Sequence, residues 1–71
     1  MGGELKNYYE AQNLVLKFID DFCDGQINKD TLLITKVKFE IDYEKKLIGK
    51  REVLLIYDVL LTISIWISVL V

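Results

Sequence analysis

The chain has 71 residues, of which 52% are apolar, with a formal net charge of −2, one cysteine and no histidine. This length allows one domain with one modest core. The lone Cys23 excludes an internal disulfide, and the lack of a histidine or a second cysteine excludes a Cys/His zinc site. The net charge offers no basic face for nucleic acid. So high an apolar fraction indicates that some apolar surface is met by another chain or by lipid.

The N-terminal segment, residues 4–23, is predicted to form one amphipathic helix. Its apolar residues recur at spacings of three and four, with polar residues on the opposite side. Gly25 is predicted to end this helix, because glycine adopts the left-handed backbone conformation without steric cost. The polar start, MGGELKNYYE, lacks the apolar stretch of a secretory signal, so we expect a cytoplasmic location.

Residues 20–31 resemble, locally, the calcium loop of EF-hand and dockerin domains. The resemblance rests on five loop positions, one, five, six, eight and nine: Asp20, Asp24, Gly25, Ile27 and Asn28. Phe22 and Thr31 stand at the third and twelfth positions, where the loop needs oxygen ligands, including a bidentate carboxylate. We therefore favour the simpler interpretation, a helix capped by glycine and followed by an Asn/Asp turn, with no bound metal.

From Ile34 onward the apolar period changes from about 3.6 residues to two. Apolar side chains then alternate with charged ones at four positions: Val37, Phe39, Ile41 and Tyr43. On a helix these four would fall on two opposite faces, whereas on a strand they form one apolar face. The sequence therefore predicts a β-strand over about residues 31–44 and a hairpin loop around Gly49, over residues 45–51.

The C-terminal run, residues 53–71, is VLLIYDVLLTISIWISVLV, with Asp58 as its only charge. Its first half is apolar throughout, as is typical of a central strand covered on both sides. Its second half alternates between apolar residues and Thr, Ser or Trp. We predict two strands, at about residues 52–58 and 60–70, separated by a break near Asp58.

A membrane-spanning helix is the main alternative interpretation of this run, and a helix buried in a core is the third. Nineteen helical residues extend roughly 28 Å, close to the hydrocarbon thickness of about 30 Å. Four basic residues precede the run and none follows it, the arrangement of a tail anchor with a cytoplasmic N-terminus: Lys45, Lys46, Lys50 and Arg51. Asp58 argues against it, because a carboxylate near the bilayer centre costs about 2.5–3.5 kcal/mol. The alternating Thr and Ser residues also favour the sheet.

Catalysis has few candidate residues in this chain. Without histidine, neither a Ser–His nor a Cys–His nucleophile pair can form. Cys23 lies among aspartates at a helix C-terminus, which is typical of a structural thiol rather than a reactive one. We predict no catalytic residue, no cofactor site and no metal site, and the chain is not expected to be an enzyme.

These observations predict a single α+β domain, residues 1–71, in which the N-terminal helix packs on a small antiparallel β-sheet. The expected function is a non-enzymatic protein-binding module, such as an inhibitor or immunity-type protein, an adaptor or an assembly subunit. It would form a homo- or hetero-oligomer through the apolar C-terminal sheet, at Ile63, Ile65, Trp66 and Ile67. The alternative is a tail-anchored, single-pass membrane protein whose N-terminal helix lies in the cytoplasm.

Overall fold

The structure, a computed structural model that describes residues 7–70, consists of three α-helices: α1 (Tyr8–Phe22), α2 (Lys29–Glu44) and α3 (Lys50–Leu70). The predicted α+β fold is wrong, because residues 7–70 contain no strand and hence no antiparallel sheet. The alternative interpretation, which had a C-terminal helix, gives the observed secondary structure of that segment. Residue 71 of the C-terminal run lies outside the described residues.

Helix α1 corresponds to the helix predicted over residues 4–23, of which residues 4–6 lie outside the described residues. It begins after Asn7, whose side chain accepts a hydrogen bond of 3.0 Å from the Glu10 amide and so caps the helix. Beyond its last residue, Asp24 and Gly25 both have left-handed backbone, with φ of 53° and 74°. The Gly25 amide donates to the Ile19 carbonyl at 3.2 Å, so Gly25 turns the chain as predicted.

Helix α2 replaces the strand predicted over residues 31–44. Its start is fixed by a reciprocal capping box: the Thr31 amide donates to Asn28 Oδ1 at 3.0 Å, and the Asn28 amide donates to Thr31 Oγ1 at 2.9 Å. The side chain of Phe39 is 1% exposed, whereas that of Val37 is 44% exposed. The alternating apolar residues therefore do fall on two opposite faces of a helix, and only one of those faces is covered.

Helix α3 replaces both strands predicted at residues 52–58 and 60–70. Residues 45–49 of the predicted hairpin loop instead connect two helices, and its last two residues belong to α3. The Gly49 amide donates to the Glu52 carboxylate at 2.7 Å, next to the start of the helix. Asp58 does not break the segment, because it lies exposed on the outer side of the helix. The run contains a helical period that the alternation obscured, since Val53, Ile56 and Leu60 are buried at spacings of three and four.

The core lies along the inner side of α3, which packs against both α1 and α2 more extensively than those two pack against each other. One cluster holds its buried apolar side chains: Ala11, Val15, Ile19, Leu32, Phe39, Ile56, Val59 and Leu60. The rings of Phe18 and Phe39 meet edge to face, with centroids 6.0 Å apart, and join α1 to α2. Thr35 is also buried, and its hydroxyl is satisfied because it donates to the Thr31 carbonyl at 2.7 Å.

Replacement of Phe39 and of Val37 by alanine distinguishes the helix from the strand. In the helix, Phe39→Ala leaves a cavity in the core and is expected to lower the free energy of unfolding by about 3–5 kcal/mol. Val37→Ala removes a side chain two residues away that is exposed in the monomer and, in the monomer, should change that free energy by no more than about 0.5 kcal/mol. Urea unfolding followed by circular dichroism measures both values. Similar losses from the two variants would show that both side chains share one buried face, as in a strand.

Candidate interaction surface

The side of α2 opposite the core carries an uncovered row of apolar side chains, here called the outer stripe of α2. Its members are between 44% and 60% exposed: Leu33, Ile34, Val37 and Ile41. Residues three and four apart are neighbours on a helix surface, so these four side chains form one contiguous patch. The opposite face of the same helix supplies Leu32, Thr35 and Phe39 to the core. Helix α2 therefore has two apolar faces.

Each charged residue between Leu33 and Ile41 has a partner inside the chain. Lys38 forms an ion pair with Asp42, and its ammonium group lies 4.5 Å from the centre of the Phe39 ring. Lys36 lies over the ring of Tyr57, 5.9 Å from its centroid. The Tyr57 hydroxyl donates to the Glu40 carboxylate at 2.8 Å. The edges of the stripe thus hold charges that already have partners within the fold.

The contact between Tyr57 and Glu40 ties α3 to α2. The hydrogen bond to Glu40 raises the pKa of Tyr57 above its usual value, because the neutral phenol donates it and the phenolate could not. Partial burial of the ring and the negative charge of Glu40 raise that pKa further, since both disfavour a second anion at this place. The pair positions a donor and an acceptor at one end of a groove between the two helices.

This groove, of about 580 Å³, lies between α2 and α3 beside the outer stripe. Leu32 and Leu60 are buried at its base, whereas Leu33 and Leu61 are exposed along its walls. Leu33 belongs both to the groove and to the outer stripe of α2. The apolar surface of α2 therefore adjoins this groove, whose lining also includes Lys36 and Ser64.

The four residues predicted to form an interface do not share one face. Ile63 and Ile67 are half-buried against the core, whereas Ile65 and Trp66 are exposed. A second groove, of about 370 Å³, brings Ile63, Trp66 and Ile67 together with three residues from α1 and the connection after it: Gln12, Leu16 and Ile27. Ile65 does not line this groove. On a strand Ile63, Ile65 and Ile67 would point the same way, but on a helix the middle one turns outward.

The outer side of α3 is also apolar but is interrupted. Leu54, Leu61 and Ile65 are exposed along it, and Asp58 lies among them at helical spacing. The sequence interpretation missed the outer stripe of α2 altogether. The alternating pattern over residues 37–43 was the signal that could have found it, because on a helix that pattern implies two apolar faces.

The residues that resemble a calcium loop do not assemble a ligand set. Asn28 is engaged in capping α2, and the ring of Phe22, at the third loop position, is exposed. Among residues 7–70 no group of three or more Asp, Glu, Cys or His side chains could hold a metal ion. Cys23 is a free thiol that lies half-buried against the core.

Helix α3 is long and apolar enough over Lys50–Val69 to cross a membrane, by length and composition. Only 22% of its most apolar window is buried by α1 and α2, so much of that apolar surface faces outward. Comparison of the chain with protein-family models, with curated proteins and with solved structures found no match.

Replacement of Glu40 by glutamine tests the contact between α2 and α3. We expect the pKa of Tyr57, followed by NMR titration of its ring, to fall in Glu40→Gln, because the variant removes the carboxylate that the phenol donates to. Glu44→Gln, one turn further along the same helix, is the matched control and should leave that pKa unchanged.

The same contact makes stability depend on pH. Because the pKa of Tyr57 is higher in the folded chain than in the unfolded chain, its contribution to stability is complete below about pH 10. The contribution is lost as the pH rises through the folded-state value. In Tyr57→Phe this part of the alkaline loss of stability should disappear, and an unchanged profile would show that the hydrogen bond contributes nothing.

Proposed function

We propose that this chain is a small, non-catalytic helical module that binds another protein chain through the outer stripe of α2. The observation that supports the proposal is the second apolar face of α2, which the core does not use. Apolar residues scattered singly over a surface are ordinary. Four at helical spacing make a continuous patch, and such patches mark sites of protein or membrane contact. Apolar residues at this spacing are also how helices dock into grooves of partner proteins.

The charges beside the stripe favour a protein partner. Burying a charge that lacks a partner costs several kcal/mol, and this cost often exceeds what the new contact returns. Here Lys38 is paired with Asp42, Lys36 lies over the ring of Tyr57 and Glu40 accepts from the Tyr57 hydroxyl, so each charge beside the stripe already has a contact in the chain and an incoming chain can cover the apolar side chains between them. The module would act in the cytoplasm.

The free energy of burying the four side chains of the outer stripe limits how strongly a partner can bind to it. Fully burying a Leu, Ile or Val side chain is worth about 1.5–3 kcal/mol, so covering the exposed half of each member returns about 1 kcal/mol. Four members then give about 4 kcal/mol, which only equals the low end of the cost of association, about 4–15 kcal/mol. A usable complex therefore also needs adjoining surface, and the groove between α2 and α3 supplies it.

A second candidate function, a tail-anchored membrane protein, is favoured by the length and apolar character of α3 and by the basic residues before it. Insertion of α3 into a bilayer would carry Ile56, Val59 and Leu60 away from α1 and α2. The buried side of α1 would then lose its cover, and Asp58 would enter the hydrocarbon region. The binding module keeps both the core and the exposed position of Asp58, and we therefore prefer it.

Photo-crosslinking from residue 37 tests the proposal. A photoreactive amino acid replaces Val37 in the chain expressed in its native cells, and the same amino acid replaces Asn13, an exposed polar position on α1, as the control. We expect a protein adduct from position 37 and none from position 13, with the chain in the soluble fraction.

Two results would contradict the proposal. One is the absence of any adduct from position 37 in a chain that is soluble and helical. The other is recovery of the chain only in the membrane fraction, with lipid adducts from the outer side of α3, which would support the second candidate.

A further inference from the structure

We propose that the outer stripe of α2 is covered by a second copy of this chain, in an antiparallel homodimer whose two α2 helices pack against each other. The proposal rests on the proposed function and names the partner of the same surface. A second copy is favoured by the distribution of charge along the bundle, by the arrangement of the stripe about the middle of α2, and by its freedom from charged residues.

The two ends of the bundle differ in charge. Residues 17–30, from the second half of α1 to the start of α2, carry four carboxylates and two ammonium groups, whereas residues 44–52, from the end of α2 to the start of α3, carry four cations and two carboxylates. Two copies side by side in the same direction would bring the acidic ends together. An antiparallel pair brings each acidic end to the basic end of the other copy, which is the complementary arrangement.

The stripe is compatible with a two-fold axis. In an antiparallel pairing centred between residues 37 and 38, Ile34 of one copy lies level with Ile41 of the other, and Val37 lies near the axis. The same register brings Asp30 of one copy level with Lys45 of the other, at both ends of the contact. Such an interface uses one patch on both subunits, as two-fold dimers do.

The outer side of α3 does not offer the same fit. Its exposed residues Leu54, Leu61 and Ile65 surround Asp58, so a pairing of two α3 helices would bury a carboxylate against apolar side chains. In α2 no residue of the stripe is charged, and the charges beside it have internal partners. Self-association is therefore expected on α2.

The size of the surface indicates a reversible dimer. The 16 residues of α2 extend about 24 Å, and a standard interface buries about 800 Å² on each partner. That is roughly a seventh of the 5301 Å² that the chain exposes, more than one helix face provides. Leu61, which shares the groove with Leu33, adds to the area. We expect a reversible equilibrium between monomer and dimer.

Sedimentation velocity of the purified chain over a range of micromolar concentrations measures this equilibrium. We expect a monomer at low concentration and twice the mass of the chain at high concentration. Val37→Glu sets two carboxylates near the axis and should weaken the dimer at least about tenfold. Leu54→Glu, an equally exposed apolar position on α3, is the matched control and should leave the dimer intact. Circular dichroism confirms that both variants keep the helical fold.

A pair of charge reversals tests the direction of packing. Lys45→Glu alone and Asp30→Lys alone each put like charges at both ends of the interface, so each should weaken the dimer. Mixing the two variants should restore it, because every end then meets the opposite charge. A parallel pair would bring Asp30 level with Asp30 and Lys45 level with Lys45, so each single variant would only exchange one pair of like charges for another. Dimers of the single variants that are as strong as the wild type would therefore contradict the antiparallel direction.

A chain that stays monomeric at all concentrations, or a dimer unaffected by Val37→Glu, would overturn the homodimer. The proposed function fails by a different result, the absence of any adduct from position 37 in cells. A monomeric chain that gives an adduct with a different protein would overturn the homodimer and leave the binding module standing.

Discussion

The fold depends on the burial of one side of α3 by α1 and α2 together. Ile56, Val59 and Leu60 lie at the centre of the core, and α1 and α2 contact α3 more than they contact each other. The contact between α1 and α2 is the smallest of the three, so each of them buries its apolar face mainly against α3. In a chain of this size a smaller fraction of the surface can be buried than in a larger one. One helix that packs against two others therefore provides most of the core.

The same arrangement explains why so much apolar surface remains outside. A three-helix bundle covers one side of each helix, and α2 and α3 are apolar on more than one side. On α3 the outer side is broken by Asp58, whereas on α2 it is continuous from Leu33 to Ile41 and bordered by charges with partners inside the chain. The continuous surface is the one suited to a partner.

The sequence predicted α1 well because its buried residues Ala11, Val15 and Ile19 recur every four residues and a glycine follows the helix. It misled over α2, where Val37 and Phe39 alternate like strand residues although one points outward and the other inward. An apolar residue on an uncovered face cannot be told from one in a core by its type alone. In α3, Asp58 resembled a break because it is the only charge in an apolar run. The helix accommodates it on an exposed side, and which side is exposed depends on how the three helices pack. Ile63 and Ile65 were predicted to share one interface because residues two apart point the same way on a strand. On the helix Ile63 packs against the core and Ile65 is exposed.

Amide hydrogen exchange on the chain, expressed and purified without detergent, tests most directly whether α3 is the shared centre of the core. If α1 and α2 both depend on α3, the slowest-exchanging amides should lie in residues 53–60 and in the middle of α1, and they should open together in a single cooperative event. Protection confined to α3, with rapid exchange throughout α1, would show that the helix is stable without its partners and would contradict the bundle described here.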